Sequence, residues 1–135
     1  MRESNQASIY QYNENLFGLP APALEVILST PTKVPGQNNI KSIALIDTGA
    51  TITIIPIRIV QELQLKYVDE ITITGVEGVA RNYYAYSVAV EFKNIGYFII
   101  KAAAANIGYV LVGRDILNMW NMLLNGPDRT LKIKY

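Results

Sequence analysis

Three residues that follow an apolar run are the best candidates for chemistry in this sequence. Residues 43–46 read IALI, which favours a buried strand, and Asp47, Thr48 and Gly49 come directly after it. A carboxylate at the end of a buried strand destabilises the fold unless it has partners, whereas a glycine there permits a sharp turn and a close approach by another group. The triplet alone leaves two interpretations open, an Asx-type turn that caps the strand or a catalytic carboxylate.

The composition removes most other catalytic groups. The 135 residues contain no cysteine and no histidine, which excludes cysteine nucleophiles, disulfides, Ser-His-Asp machinery and the common zinc sites. A hydrolase built from this sequence must use carboxylates, lysine, tyrosine or hydroxyl groups. Twelve basic and 11 acidic residues leave a net charge of +1, which is too balanced to indicate nucleic acid or a membrane surface as a partner.

Length and apolarity predict one folded domain. Half of the residues are hydrophobic and 17% are charged, which excludes an intrinsically disordered chain. A chain of this length buries roughly two thirds of its unfolded surface without help from a disulfide or a metal. The sequence has neither the apolar run of a signal peptide nor a run of about 18 residues that could span a membrane. We therefore expect a cytoplasmic protein.

Short strands dominate the predicted secondary structure. Residues 1–22 are polar and end in a proline-rich turn, so we expect a flexible or edge-packing N-terminal arm. Residues 23–135 are expected to form an all-β, or mostly β, small closed barrel or sandwich with one or two short helices. The predicted strands are 24–28, 40–46, 51–55, 71–74, 83–92, 95–104, 108–112 and 131–135, the predicted helices begin at Pro56 and span 115–124, and residues 31–39 are predicted to be a loop.

A second apolar run that ends in a glycine helps to interpret the first run, which ends at Asp47. Residues 109–117 read YVLVGRDIL, and residues 75–78 between the two elements read GVEG. Together with the run from Asp47 to Thr51, this order resembles the retropepsin-type aspartic proteases, the single-domain family that includes retroviral proteases and bacterial relatives. The resemblance spans residues of about 24 to 135. It implies the retropepsin acid-protease fold, with residues 75–78 at the tip of the flap.

The resemblance also implies a symmetric homodimer. Aspartic protease chemistry needs two carboxylates that share one proton, and the chain has one Asp-Thr-Gly triplet. Asp47 of each subunit would form this dyad, which activates a water molecule against the scissile carbonyl group. The implied substrate is an extended, apolar-rich segment of a peptide or protein. No cofactor, metal, nucleic acid or membrane is implied.

Family positions assign roles to the residues around Asp47. Thr48 is implied to form a hydrogen bond across the two-fold axis, and Gly49 to present backbone groups to the bound peptide. Ala50 stands where pepsin-like relatives often carry a hydroxyl group, which predicts activity at mildly acidic rather than strongly acidic pH. The implied pocket walls are apolar residues, namely Leu45, Ile52, Ile54, Val76, Tyr109 and Leu111.

The flap and the second glycine element each have a simpler alternative. Gly75, Val76, Glu77 and Gly78 are expected to form a mobile lid, or else an ordinary hairpin turn. Gly113 is expected to pass its backbone beside the catalytic turn, or else to be an ordinary glycine at a helix start.

Arg114 and Asp115 are expected to support the site. Asp115 is predicted to stabilise the start of a helix. Retroviral enzymes often pair the arginine with an acid two residues after the catalytic glycine, but that residue is Thr51 here. We therefore expect Arg114 to pair with another acid, such as Asp69 or Glu70, or with a C-terminal carboxylate.

The main alternative function is a non-catalytic module that keeps this fold and binds peptide or dimerises without cleaving. A glycosidase pair or a carboxylate metal site fits less well, because the acids are scattered along the sequence. Whether the protein is a protease or a non-catalytic module, residues 131–135 are expected to offer an exposed strand edge for dimerisation.

Overall fold

The computed structural model describes residues 7–32 and 38–135. The expected arm at residues 1–22 and the expected loop at residues 31–39 therefore lie partly outside the described residues. The described strands are β1 (Ser8–Gln11), β2 (Ala23–Ser29), β3 (Asn39–Ile46), β4 (Ile54–Pro56), β5 (Lys66–Thr74), β6 (Ala80–Phe92), β7 (Gly96–Ala105), β8 (Val110–Val112), β9 (Asn121–Asn125) and β10 (Thr130–Lys134), and the helices are α1 (Ile57–Leu63) and α2 (Arg114–Leu117).

Six strands close a barrel, which confirms the predicted mostly-β barrel. The strand order is β2-β3-β8-β4-β7-β6, and β6 returns to β2 through the pairing of Ile27–Ser29 with Ala89–Glu91. Two of these contacts, β3 with β8 and β4 with β7, are parallel, and the others are antiparallel. Strand β5 pairs with β6 outside the closed ring.

Strand β6 shows how the alternating pattern builds the core. Val88, Val90 and Phe92 lie on one face and are buried, as period-two patterning predicts. Tyr84 lies on the same face but is exposed. The pairing with β7 begins at Ala85, so residues 80–84 pair only with β5 and extend beyond the barrel.

The predicted helix over residues 115–124 is wrong in its second half. Helix α2 ends at Leu117, and residues 121–125 form β9, which pairs with β10. Trp120 between them is buried against Phe92 and Phe98. The apolar spacing that indicated a helix arises because this turn inserts Trp120 into the core, while hydrogen bonding to β10 imposes strand geometry on the residues that follow.

Other elements begin a few residues away from their predicted boundaries. The predicted strand over 51–55 begins only at Ile54, because residues 51–53 form the loop after the Asp47 turn. Pro56 is the N-cap of α1 rather than its first residue. Strand β5 begins five residues before the predicted start at Ile71, because pairing with β6 continues past a bulge between Tyr67 and Asp69.

A second sheet has the order β1-β10-β9, so the expected exposed edge at residues 131–135 is wrong. Strand β10 is the central strand and is paired on both sides, and the edges of this sheet are β1 and β9. Strand β1 comes from the expected arm, but the domain boundary at residue 22 stays a prediction. Within residues 7–32 and 38–135, no helix is both long and apolar enough to cross a membrane.

Candidate active site

Strand β3 is part of the barrel wall, and the chain turns at Asp47, directly after this strand ends. The Asp47 N–H donates to the Val112 carbonyl at 3.0 Å, and the Ala50 N–H donates back to the Asp47 carbonyl at 3.1 Å. The Gly49 N–H donates to Asp47 Oδ1 at 3.0 Å. This last contact is the one that the Asx-turn interpretation predicts, and it is equally compatible with a catalytic carboxylate. Asp47 itself is half-buried, so its carboxylate is held by the backbone and still reaches solvent.

Gly113 lies in a second loop, directly after β8, and this loop passes beside the first loop, which begins at Asp47. Strand β8 runs parallel to β3, with Val112 opposite Ile46, and the Arg114 N–H donates to the Ala50 carbonyl at 2.8 Å. A Cβ atom on Gly113 would lie 2.5 Å from the carbonyl carbon of Ile52 and 2.8 Å from the Thr53 nitrogen. Because those atoms belong to the backbone, they cannot move aside cheaply, and only glycine fits here.

A buried threonine joins the two loops, and the sequence analysis did not assign it a role. Thr53 is fully buried, and its hydroxyl donates to Asp115 Oδ1 at 2.8 Å and accepts from the Gly113 N–H at 3.1 Å. Asp115 Oδ1 also accepts from the N–H groups of Thr53, at 3.1 Å, and Ile116, at 3.0 Å. Asp115 thus contacts the start of α2 and also ties α2 to the loop after Asp47. The available sequence signal for this role was that Thr51 and Thr53 alternate with isoleucines.

The expected acidic partners of Arg114 are wrong. Its guanidinium donates from Nη1 to the Thr48 carbonyl at 2.8 Å and from Nη2 to Thr51 Oγ1 at 3.2 Å. Thr51, which stands where relatives often carry an acid, is therefore a neutral partner of the same arginine. Asp69, one of the expected partners, instead accepts a hydrogen bond from Lys101.

A cavity of about 450 Å³ lies beside the Asp47 turn and under β5. Two of the expected wall residues, Ile52 and Ile54, line it. Ile71, Ile73 and Lys101 also line it, although the sequence analysis did not assign them to the site. The alternation in residues 71–74 predicted a strand, but nothing in it indicated which face would meet the cavity. The remaining lining residues are Gly49, Ala50, Thr51, Thr72 and Thr74.

The other expected wall residues do not line this cavity. Leu45 and Leu111 are half-buried neighbours on β3 and β8, and Leu111 also pairs with Ile54. Tyr109 lies at the entrance to β8 and contacts the ring of Phe17 edge-on, with 4.8 Å between ring centroids. Phe17 belongs to the expected arm, and the sequence analysis assigned it no contact with the site.

Residues 75–79 form the turn between β5 and β6. The Gly75 N–H donates to the Val79 carbonyl at 3.1 Å, and the Gly78 N–H donates to the Gly75 carbonyl at 3.0 Å. Gly78 has a φ of +79°, which favours glycine. Val76 at the tip is fully exposed and Glu77 is exposed. A cavity of about 250 Å³ lies beneath the tip, lined by Ile73, Gly75, Val76, Glu77, Val79, Arg81 and Tyr83.

An ion pair near this cavity joins β7 to β5. Lys101 Nζ lies 3.1 Å from Asp69 Oδ2, and this hydrogen bond, helped by the Glu70 N–H, lowers the pKa of Asp69. Desolvation raises the pKa of Tyr67, and the carboxylates of Glu70 and Asp69 raise it further. Among residues 7–32 and 38–135, no three acidic side chains are grouped so that they could hold a metal ion.

Size alone does not locate the site. A larger cavity of about 540 Å³ lies on the outer face of β2, β3 and β6, away from Asp47. Its walls carry charges of both signs, from Glu25, Lys41, Glu91 and Lys93. The smaller cavity is the better candidate, because Gly49, Ala50 and Thr51 of the loop after Asp47 line it.

The closed barrel and the two joined loops define a retropepsin-like aspartic protease fold, and solved structures agree with it. The chain is similar to a retropepsin-like aspartic protease from Rickettsia conorii, with 17% identity over 100% of this chain and 97% of that one and a TM-score of 0.63. It is also similar to EIAV protease in complex with the inhibitor HBY-793, with 21% identity, coverage of 82% and 93%, and a TM-score of 0.56. A foamy viral protease-reverse transcriptase bound to an RNA/DNA hybrid matches with 16% identity over 75% of this chain and 12% of that one, at a TM-score of 0.55.

The sequence itself carries the family assignment. The model of the gag-polyprotein putative aspartyl proteases matches residues 34–119, which is more than half of the chain. The chain belongs to this family, and the resemblance to retropepsin-type aspartic proteases is confirmed. A search of curated proteins found no match.

Proposed function

We propose that this protein is an aspartic endopeptidase whose active form is a symmetric homodimer with Asp47 of each subunit at the centre. The observation that carries the proposal is the way the backbone holds Asp47 while its side chain stays accessible. Its backbone is held by Val112 and Ala50, while its carboxylate is half-buried and bonded to the Gly49 N–H. One chain supplies one such carboxylate, so a second subunit has to supply the other.

The dyad hydrolyses a peptide bond by general acid–base catalysis. The ionised Asp47 takes a proton from a water molecule held between the carboxylates, and the water oxygen bonds to the scissile carbonyl carbon. The protonated Asp47 of the other subunit donates its proton to the carbonyl oxygen, which gives a tetrahedral diol. Transfer of a proton to the amide nitrogen then breaks the carbon–nitrogen bond and releases an amine and a carboxylic acid.

The residues next to Asp47 hold the two turns and the substrate. Thr48 would form a hydrogen bond across the two-fold axis, while its carbonyl is held by Arg114 on its own chain. Gly49 would present its backbone to the peptide. Ala50 adds no hydroxyl group near the dyad, so we place the activity maximum at mildly acidic pH.

The substrate would bind as an extended strand between the Asp47 turn and the β5–β6 hairpin. Such a peptide presents alternate side chains to pockets on either side. Ile52 and Ile54 on one wall and Ile71 and Ile73 on the other favour an apolar-rich segment. Residues 75–78 would act as a lid that excludes water from the reacting bond.

Dimerisation would use the β1-β10-β9 sheet. Within residues 7–32 and 38–135, β1 and β9 are the edge strands of this sheet, and such edges readily pair with a second chain. Ile9 and Leu123 are exposed on these two strands and lie in one cross-strand row with Lys132 of β10. Apolar side chains on an open sheet edge favour association over a monomer.

The test is cleavage of an unstructured, apolar-rich peptide library between pH 3 and pH 8, with the wild type and Asp47→Asn in parallel. We expect the wild type to cleave, Asp47→Asn to be inactive, and pepstatin-like transition-state mimics to inhibit. Sedimentation of both proteins reports whether each is a dimer, and the emission of Trp120 reports whether each is folded. A folded, dimeric wild type that cleaves nothing would instead favour the peptide-binding module.

A further inference from the structure

Lys101 introduces a positive charge into an otherwise uncharged cavity beside the Asp47 turn. The other residues that line this cavity are isoleucines, threonines, a glycine and an alanine. The Lys101 side chain is 44% exposed and its ammonium group pairs with Asp69, so the charge is tolerated at the cavity wall. The chemistry of this cavity is therefore not purely apolar.

Strand pairing places the Lys101 side chain on the same sheet face as two of the isoleucines that line the cavity. Lys101 on β7 lies opposite Ser87, and Asp69 on β5 lies opposite Ala85, with β6 between them. The side chains of Lys101 and Asp69 therefore share one face of the sheet and meet across β6, where the side chains beneath them are small. Ile71 and Ile73 follow Asp69 at period two and lie on that same face.

The ion pair leaves Lys101 able to bind another acid. Its Nζ lies 3.1 Å from Asp69 Oδ2, but an ammonium group has three N–H donors. The side chains of Lys101 and Asp69 are 44% and 51% exposed, so water screens the attraction between them. Asp69 does not line the cavity, whereas Lys101 does. A carboxylate that entered the cavity would therefore meet the ammonium group without first displacing Asp69.

We propose that Lys101 makes this site selective for an acidic side chain of an extended peptide. The inference rests on the proposed function, because it names the substrate class of the same site. A glutamate matches the cavity well, since its two methylene groups contact the isoleucines while its carboxylate accepts from Lys101 Nζ. A leucine at the same place would remove water from the ammonium group and offer it no acceptor.

The experiment uses a peptide that the wild type cleaves in the library. Each position in turn is replaced by Glu, Gln, Leu or Lys, and kcat/KM is measured for the wild type, Lys101→Met and Lys101→Glu. At one position we expect Glu to exceed its neutral isostere Gln on the order of tenfold in the wild type. Lys101→Met should remove this difference, and Lys101→Glu should turn it into a preference for Lys.

Two further variants separate the pocket from general charge effects. Asp69→Asn should increase the preference for Glu, since the ammonium group no longer shares its donors with Asp69. Lys93→Met is the matched control, because Lys93 is an exposed lysine in the turn between β6 and β7 and does not line this cavity. It should leave the Glu-to-Gln ratio unchanged, whereas added salt should lower that ratio in the wild type.

The selectivity can also be measured as a difference in peptide binding, without cleavage. Fluorescently labelled peptides from the apolar-rich library, in pairs that differ only by Glu or Gln at one position, are titrated against Asp47→Asn and against Asp47→Asn combined with Lys101→Met, with anisotropy as the signal. Tighter binding of the Glu peptide that disappears with Lys101→Met supports the inference, even where the wild type cleaves nothing and the proposed function fails. Equal or absent binding of the Glu peptide overturns it, as does a wild-type preference for Lys or a Glu preference that survives in Lys101→Met.

Discussion

The hydroxyl group of Thr53 is the contact whose removal tests the architecture of the site most directly. Thr53→Val keeps the shape of the side chain but removes the donor to Asp115 Oδ1 and the acceptor for the Gly113 N–H. A hydrogen bond to a charged group contributes about 1.5–3 kcal/mol, and a buried N–H left without a partner costs about 1–3 kcal/mol. Since the two contacts share one oxygen and the site can partly relax, we expect the free energy of unfolding to fall by about 3 kcal/mol.

Thr53→Ser is the matched control for that substitution. Serine keeps the hydroxyl group and loses one methyl group, which costs about 1 kcal/mol in a buried position. Unfolding in urea is measured at one fixed protein concentration, because the stability of the proposed dimer would depend on that concentration. The single tryptophan, Trp120, is 7% exposed and packs against Phe92, so its emission reports loss of the core.

The two variants should separate clearly in this assay. With a denaturant slope of about 2 kcal/mol per molar, Thr53→Val lowers the urea midpoint by about 1.5 M and Thr53→Ser by about 0.5 M. Thr53→Val should also lower kcat more than Thr53→Ser, because Thr53 holds the loop after Asp47 against α2. A Thr53→Val protein as stable as Thr53→Ser would refute the argument that this hydroxyl joins the two loops.

Two further predictions concern Gly113 and the Lys101–Asp69 pair. Gly113→Ala should lower the free energy of unfolding by about 1–3 kcal/mol or more in the same urea titration, because its Cβ would lie 2.5 Å from the carbonyl carbon of Ile52; an unchanged midpoint would contradict the close approach. Lys101→Met should raise the pKa of Asp69 towards its ordinary value, which carboxyl NMR titration measures. Because the native pKa of Asp69 is lowered, the stabilisation it brings is present above its unfolded-state pKa and is lost as the pH falls through the native value. The wild type should therefore lose its advantage over Lys101→Met as the pH falls through that range, and an advantage that grows there would contradict the pairing.

The place of Asp47 was predictable because its signals are local. An apolar run predicts a strand, and a carboxylate with a glycine two residues later predicts a tight turn at its end. Gly113 follows a second apolar run in the same way; the pattern alone also allowed an ordinary glycine at a helix start, and the family resemblance added the expectation that its backbone passes beside the catalytic turn. Both elements appear in the structure where the sequence placed them, at the ends of β3 and β8.

The failures share a different cause, which is that their signals are not local. Residues 115–124 carry helical spacing, but pairing with β10 forms a strand from the last of them. Arg114 was expected to meet an acid and instead meets the Thr48 carbonyl and Thr51 Oγ1, because the chain brings these acceptors to it across the fold. No pattern around either segment encodes which distant residue will face it.

The sequence by itself determined the family, the absence of cysteine and histidine chemistry, and the aspartate that carries the proposed reaction. These are properties of residue types and short spacings, which survive without knowledge of the fold. Only the tertiary structure decided that Thr53 and Asp115 join the two loops and that Lys101 lines the cavity with Ile71 and Ile73. A lysine or threonine in a strand reads as an ordinary surface or core residue until the neighbouring strands and their register decide which side chains it meets.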